Sequence, residues 1–219
     1  MAVPISGSEA ATYDWIDRFV DTWLQTPAGM RIGRGKFPEP CIDICRDKAV
    51  ATAIQNGAKW LFFLDADVIP PPDVIPRLLR HNLPIVAGLY IRRHNPPFNE
   101  MLRFRTDGMA GLRPIQEGEY TLGTLVECDA VGTGCLLIST EVFETMKPFQ
   151  VTIDGQPARP SYFLWTEFRL QNGMSEDFSW CVKARQSGFK IFCDTSIQCR
   201  HRGMVNFAPG GVNGPIIEF

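Results

Sequence analysis

No run of about 20 apolar residues occurs anywhere in the 219 residues, which excludes a hydrophobic membrane-spanning helix. The opening MAVPISGSEA has neither a basic start nor a long apolar stretch, so no secretory signal is expected. Asn-x-Ser/Thr sequons, internal repeats and low-complexity tracts are absent. So is any dominant sign of charge. The 22 Lys and Arg against 24 Asp and Glu give a net charge of −2, and no global basic field exists to hold a nucleic-acid backbone. Cys-x-x-Cys is missing too. The seven cysteines include Cys41 and Cys45, four apart, but no second pair follows at metal-ligand spacing. They read as small apolar residues in a reducing compartment, and a cytoplasmic location is expected.

What remains is an ordinary globular composition, 45% hydrophobic and 21% charged. A chain of this length buries roughly 70% of its unfolded surface and needs no disulfide or structural metal to fold. Ala2 to Ser6 reads as a short strand. Trp15, Ile16, Phe19, Val20, Trp23 and Leu24 form the apolar stripe of a helix. Residues 27–40 read as a loop with a short strand, and 43–56 as a helix stopped by Gly57. WLFFL at 60–64 is a strand buried on both faces. Asp73 opens a helix through Asn82, and 85–91 is another buried strand.

Residues 99–126 suggest hairpins with turns at Gly108, Gly111 and Gly118, followed by an apolar strand at 135–138 and a short helix over 140–146. A Pro/Gly loop is expected at 150–160 and a strand at 161–165. A helix runs from Ser175 to Gly188, the last strand covers 189–193, and 202–219 is a surface tail. Strands alternating with helices and hairpins predict an α/β domain with a central mixed sheet flanked by helices, its ligands beyond the carboxyl ends of the strands.

Four features carry chemistry. Asp65 and Asp67 leave the end of the buried WLFFL strand, where uncompensated charge is costly. They either cap the turn into the Pro run or hold a hard divalent cation, Mg²⁺ or Mn²⁺, that bridges to substrate phosphates. His201, between Arg200 and Arg202, is either a solvated turn residue or a nitrogen ligand for that ion; His81 and His94 read as surface residues. Ser175-Glu176-Asp177 is explained by helix capping, or supplies a general base. Val131-Gly132-Thr133-Gly134 is turn chemistry, or brings backbone close to a ligand. Trp165, Arg92 and Arg93 are further candidates for stacking or phosphate contact, with core packing and solvation as their defaults.

Together these pieces resemble the shared motifs of GT-A-fold glycosyltransferases: DAD at 65–67, VGTG at 131–134, SED at 175–177 and the late His201, in the same order. CRDKAV at 45–50, with Arg46 placed 19 residues before Asp65, looks family-2-like, although Asp47 stands where that family more often has Asn. The likeness covers roughly residues 2 to 203 and implies one GT-A domain over 1–219. Its nucleotide-sugar half would be 1–92, its acceptor half 93–203 and its tail 204–219.

The resemblance also implies roles. Pro4, Ser6 and Arg46 would line the nucleotide site. Asp65 would touch ribose or metal, and Asp67 and His201 would ligate Mn²⁺ or Mg²⁺. Gly132, Thr133 and Gly134 would lie near the donor sugar, Asp177 would be the base and Glu176 would help position the acceptor. The implied activity is metal-dependent transfer of a sugar from a nucleoside-diphosphate sugar to an acceptor hydroxyl of a glycan, protein, lipid or modified base, with inversion. A nucleotidyltransferase is the alternative, but SEAAT at 8–12 has no glycine or basic residue for a phosphate loop. A non-catalytic nucleotide-sugar-binding module is the other.

Overall fold

The computed structural model describes residues 2–5, 24–25, 28–39, 41–92, 98–153, 156–164 and 174–201. The helix expected around Trp15 to Trp23, Ser6, Arg93, His94, Trp165 and the tail 202–219 lie outside these residues.

The chain begins with β1 (Ala2–Ile5) and β2 (Gly35–Pro38), then α1 (Ile42–Gln55), which stops where Gly57 adopts φ +62°. WLFFL forms β3 (Trp60–Leu64), followed by β4 (Val68–Ile69), α2 (Val74–Arg80) and β5 (Ile85–Leu89). The small strands β6 (Ile91–Arg92), β7 (Phe98–Asn99), β8 (Met101–Phe104) and β9 (Leu112–Pro114) come next, then β10 (Leu125–Cys128), β11 (Ala130–Val131) and β12 (Cys135–Ser139). The chain continues through α3 (Thr140–Thr145), β13 (Phe149–Ile153), β14 (Gln156–Ser161), α4 (Glu176–Gln186), β15 (Ile191–Gln198) and β16 (Arg200–His201).

Seven strands form the central sheet in the order β10-β15-β5-β12-β3-β1-β2. β1, β2 and β3 run parallel, as do β5 and β15, while β12 and β10 run antiparallel to their neighbours. This is the expected mixed sheet. Alternation along β3 explains why WLFFL is continuously apolar. Leu61 and Phe63 enter one core with Ala49, Val50 and Ala53 of α1 and Trp180 and Ala184 of α4. Phe62 and Leu64 enter the other, with Val74, Ile75 and Leu78 of α2. Each large side chain buried this way contributes about 1.5–3 kcal/mol.

Three expectations change. Residues 150–160 are not a loop: β13 and β14 pair antiparallel with a register shift at Val151/Thr152. Proline there is tolerated because the two strands form a sheet of their own, so each is an edge. The segment expected as a strand at 161–165 shares only Ser161 with β14. The last strand also runs beyond 193, through Gln198, with a register shift against β5 between Asp194 and Gln198. Six cysteines are buried and Cys41 is exposed, all as free thiols. No helix among the described residues is long and apolar enough to cross a membrane.

Candidate active site

The carboxyl ends of β3, β5 and β15 and the amino end of antiparallel β12 meet at one edge of the central sheet. That topology gathers motifs far apart in sequence. Asp65 leaves β3 with its N–H donating to Gly134 O at 3.0 Å. Tyr90 leaves β5, and Gly132 to Gly134 lead into β12. Past β15 the chain forms β16, whose His201 pairs in register with Val68 of β4. This places His201 beside Asp67.

Arg46 organises the carboxylates. It faces inward from α1 and is 3% exposed. Its Nη1 donates to Asp65 Oδ1 at 3.2 Å and its Nε to Glu176 Oε1 at 3.3 Å. Its guanidinium carbon lies 5.7 Å from the centre of the Phe63 ring. Burial alone would lower its pKa, but Asp65, Glu176 and Asp177 hold it well above the ordinary value. A buried guanidinium between carboxylates is the compensation such a site requires. The adjacent Asp47 points elsewhere: it accepts from Ser161 Oγ (2.6 Å), Tyr162 N (2.8 Å) and Phe163 N (3.1 Å), fixing the end of β14.

Glu176 and Asp177 open α4. Ser175 occupies the N-cap position but makes no side-chain capping bond. Its hydroxyl donates to Asp177 Oδ1, which also accepts from Phe178 N at 2.8 Å. Burial raises the Glu176 carboxyl to about 7, with Asp177 adding to the effect and Arg46 opposing it. Asp177 is likewise raised, chiefly by burial, against the lowering bond from Ser175.

Asp67 and His201 form the second pair, His201 Nε2 lying 3.4 Å from Asp67 Oδ2. His201 Nδ1 donates to Ile91 O at 2.8 Å, so in the neutral ring Nε2 carries the lone pair. A lone pair facing a carboxylate is repulsive unless a cation, proton or metal, lies between them. No group of three or more His, Cys, Asp or Glu among the described residues is arranged to hold an ion, and Asp65 gives one oxygen to Arg46. Two protein donors still fit a hard cation that takes its remaining ligands from phosphates and water.

The glycine turn has a packing reason that sequence alone did not show. A Cβ on Gly132 would lie 1.9 Å from Tyr90 Oη, and one on Gly134 would lie 3.0 Å from Tyr90 Cζ and from Val68 Cγ2. Gly134 N donates to Tyr90 Oη at 3.2 Å, and the Tyr90 ring meets His201 edge-on at 5.5 Å. Both glycines admit Tyr90, which in turn supports His201. Thr133 is fully buried and its Oγ1 has no hydrogen-bond partner.

Pro4 lies in β1, paired with Phe37. Arg92 is half-exposed, pairs with Glu100 Oε1 at 3.2 Å and lies over Phe98. His81, expected on the surface, binds Asp194 through Nε2 at 2.9 Å. Sequence reading passed over Tyr90 and Glu100. Tyr90 carried a faint signal, a polar-tipped aromatic ending an apolar strand; Glu100 carried none.

Solved structures share this fold, among them the following two. The crystal structure of A197 from STIV superposes with a TM-score of 0.57 at 16% identity, covering 91% of this chain and 83% of that one. The crystal structure of GalNAc-T7 with UDP, GalNAc and Mn²⁺ superposes with a TM-score of 0.52 at 14% identity. That match covers 92% of this chain and 37% of the other, so this chain spans little more than a third of that protein. No protein-family model matches the sequence, and no curated protein matches it. The architecture is the GT-A-like α/β fold.

Proposed function

We propose that this protein is a glycosyltransferase that moves a hexosyl group from a nucleoside-diphosphate sugar to an acceptor hydroxyl. The observation that carries the reading is the Asp67–His201 pair, in which a fixed Nε2 faces a carboxylate across 3.4 Å at the ligand edge of a GT-A-like sheet. The bound UDP, GalNAc and Mn²⁺ named for the GalNAc-T7 structure support it through the shared fold. The family-2-like segment around Arg46 belongs to the same reading.

Asp67 and His201 would hold the divalent cation. Bound there, Mn²⁺ or Mg²⁺ would supply positive charge to offset the negative charge of a departing diphosphate. Asp65, oriented by Arg46, accepts from the ribose. Asp177 takes the proton of the acceptor hydroxyl as it attacks the anomeric carbon from the face opposite the leaving group, which inverts that centre. Its raised pKa makes it a stronger base near neutrality than an exposed Asp. Glu176 accepts from Arg46 and so acts as a positioning residue for its neighbour.

The test is a melting experiment with UDP, GDP and CDP, each with Mn²⁺ or with chelator. At least one diphosphate is expected to raise Tm only with the cation, and His201→Ala is expected to lose that gain while melting normally by itself. A ligand at 100 times its Kd stabilises by about 2.7 kcal/mol, which is readily seen. Equal shifts with and without cation, or an undiminished shift in His201→Ala, would reject the metal pair.

A further inference from the structure

Glu100 lies at the centre of this edge, though no motif marks it. Its N–H donates to Tyr90 O at 3.1 Å and its carbonyl accepts from Gly132 N at 3.1 Å. The residue is thereby tied between the end of β5 and the glycine turn. Its Cβ would sit 3.3 Å from a Cβ on Gly132. The residue is 8% exposed. Arg92 Nε holds one carboxylate oxygen, Oε1, at 3.2 Å. The other, Oε2, is buried and has no hydrogen-bond partner.

A buried carboxylate oxygen without a donor is costly and calls for a cause. Other carboxylates of the site have donors from the protein: Asp65 and Glu176 from Arg46, and Asp177 from Ser175 and Phe178, while Asp67 faces His201 across the proposed cation position. Among the described carboxylates of the site, Glu100 alone keeps a buried oxygen with no donor. Asp177, His201 and Asp65 are near enough for their charges to act on it, and its backbone ties it to the end of β5 and the glycine turn, at the edge proposed to receive the donor. A hydroxyl brought by a ligand would supply the missing hydrogen-bond donor. The part of a nucleotide sugar that presents hydroxyl donors between Asp177 and the Asp67–His201 pair is its sugar ring.

We infer that Glu100 reads the transferred sugar: Oε2 accepts a hydrogen bond from one of its ring hydroxyls, while Arg92 grips Oε1 and sets the plane of the carboxylate. This rests on the nucleotide-sugar reading above. It makes Glu100 a specificity-determining residue, sensitive to the configuration at one carbon.

The experiment is calorimetric titration of the full chain, with Mn²⁺, using UDP, UDP-glucose, UDP-galactose, UDP-N-acetylglucosamine and UDP-N-acetylgalactosamine. GDP and GDP-mannose serve if UDP does not bind. Glu100→Ala is expected to weaken the preferred nucleotide sugar by about tenfold or more, as for a lost hydrogen bond to a charged group, while the diphosphate alone stays within about twofold. Discrimination between the glucose and galactose epimers is expected to shrink with it. Glu100→Gln keeps an acceptor oxygen and the shape of the side chain, so it is expected to show a smaller loss, and Arg92→Ala a loss of several-fold with diphosphate affinity kept. If both Glu100 variants melt lower but keep the wild-type ratio of sugar-nucleotide to diphosphate affinity, Glu100 is only the partner of Arg92 and the inference is overturned. If the wild-type chain binds no diphosphate at all, the nucleotide-sugar reading fails first, and this one with it.

Discussion

Arg46 and Glu176, 130 residues apart in sequence, meet at 3.3 Å through Nε and Oε1. The contact joins α1 to the start of α4 across the end of β3, and the same guanidinium reaches Asp65 at 3.2 Å. One buried cation therefore holds together the two acidic motifs on which the proposed chemistry depends.

Removing that cation leaves the buried Glu176 carboxylate and the partly buried Asp65 without their shared partner. Arg46→Met is expected to destabilise the fold by about 3–5 kcal/mol, the range for breaking a buried pair from one side. Lysine cannot present two forked donors, so Arg46→Lys is expected to recover only part of the loss. Adding Glu176→Gln to Arg46→Met is expected to restore some stability, because one stranded charge disappears. Urea unfolding of the four proteins checks the order.

Asp177→Asn keeps an Oδ1 that accepts from Ser175 and Phe178, so melting and diphosphate affinity are expected to hold. Transfer is expected to fall about 10²–10⁴-fold, the usual contribution of a positioned base. A purely structural role at the helix start predicts the reverse pattern, with normal turnover and a loss of about 0.3–1 kcal/mol. Donor hydrolysis by water provides the rate measurement without a known acceptor.

Gly132→Ala forces a methyl to within 1.9 Å of Tyr90 Oη. Overpacking of this kind costs about 1–3 kcal/mol. Tyr90→Phe in the same chain removes the clashing oxygen, although Cζ would still lie 2.9 Å away. Partial recovery of Tm in the double variant is the expected result, and a single Gly132→Ala that melts like wild type would show that Tyr90 does not fill this space.

Burial raises both Glu100 and Glu176 from the ordinary 4.5 to about 7. Between those values the folded chain retains protons that the unfolded chain has released. The contribution to stability is complete below about pH 4.5 and is lost as pH rises through about 7. Without metal or nucleotide, the wild-type urea midpoint is expected to fall from pH 5 to pH 7.5 by more than that of Glu100→Gln. Parallel slopes in the two proteins would remove Glu100 as a source of the effect.

Local signals in the sequence were enough for the elements whose cause is itself local. WLFFL could only be a doubly buried strand, and α1 ends at Gly57 because φ +62° suits glycine. The turns at Gly108, Gly111 and Gly118 likewise adopt positive φ. The order of DAD, VGTG, SED and His201 was also readable, since motifs are strings. The hairpin of β13 and β14 was missed because its Pro and Gly content imitates a loop, and only cross-strand pairing reveals it.

What the chain's own letters determined, then, is where buried strands and helices lie and which side chains are chemically able to act, because propensity, periodicity and turn chemistry depend on near neighbours. The tertiary structure alone decided which of those side chains meet. The antiparallel course of β12 carries Gly134 beside Asp65, β16 lays His201 beside Asp67, and Tyr90 and Glu100 fill the space between. Such contacts arise from strand order and packing between segments far apart in the chain, and a linear spacing holds no record of them.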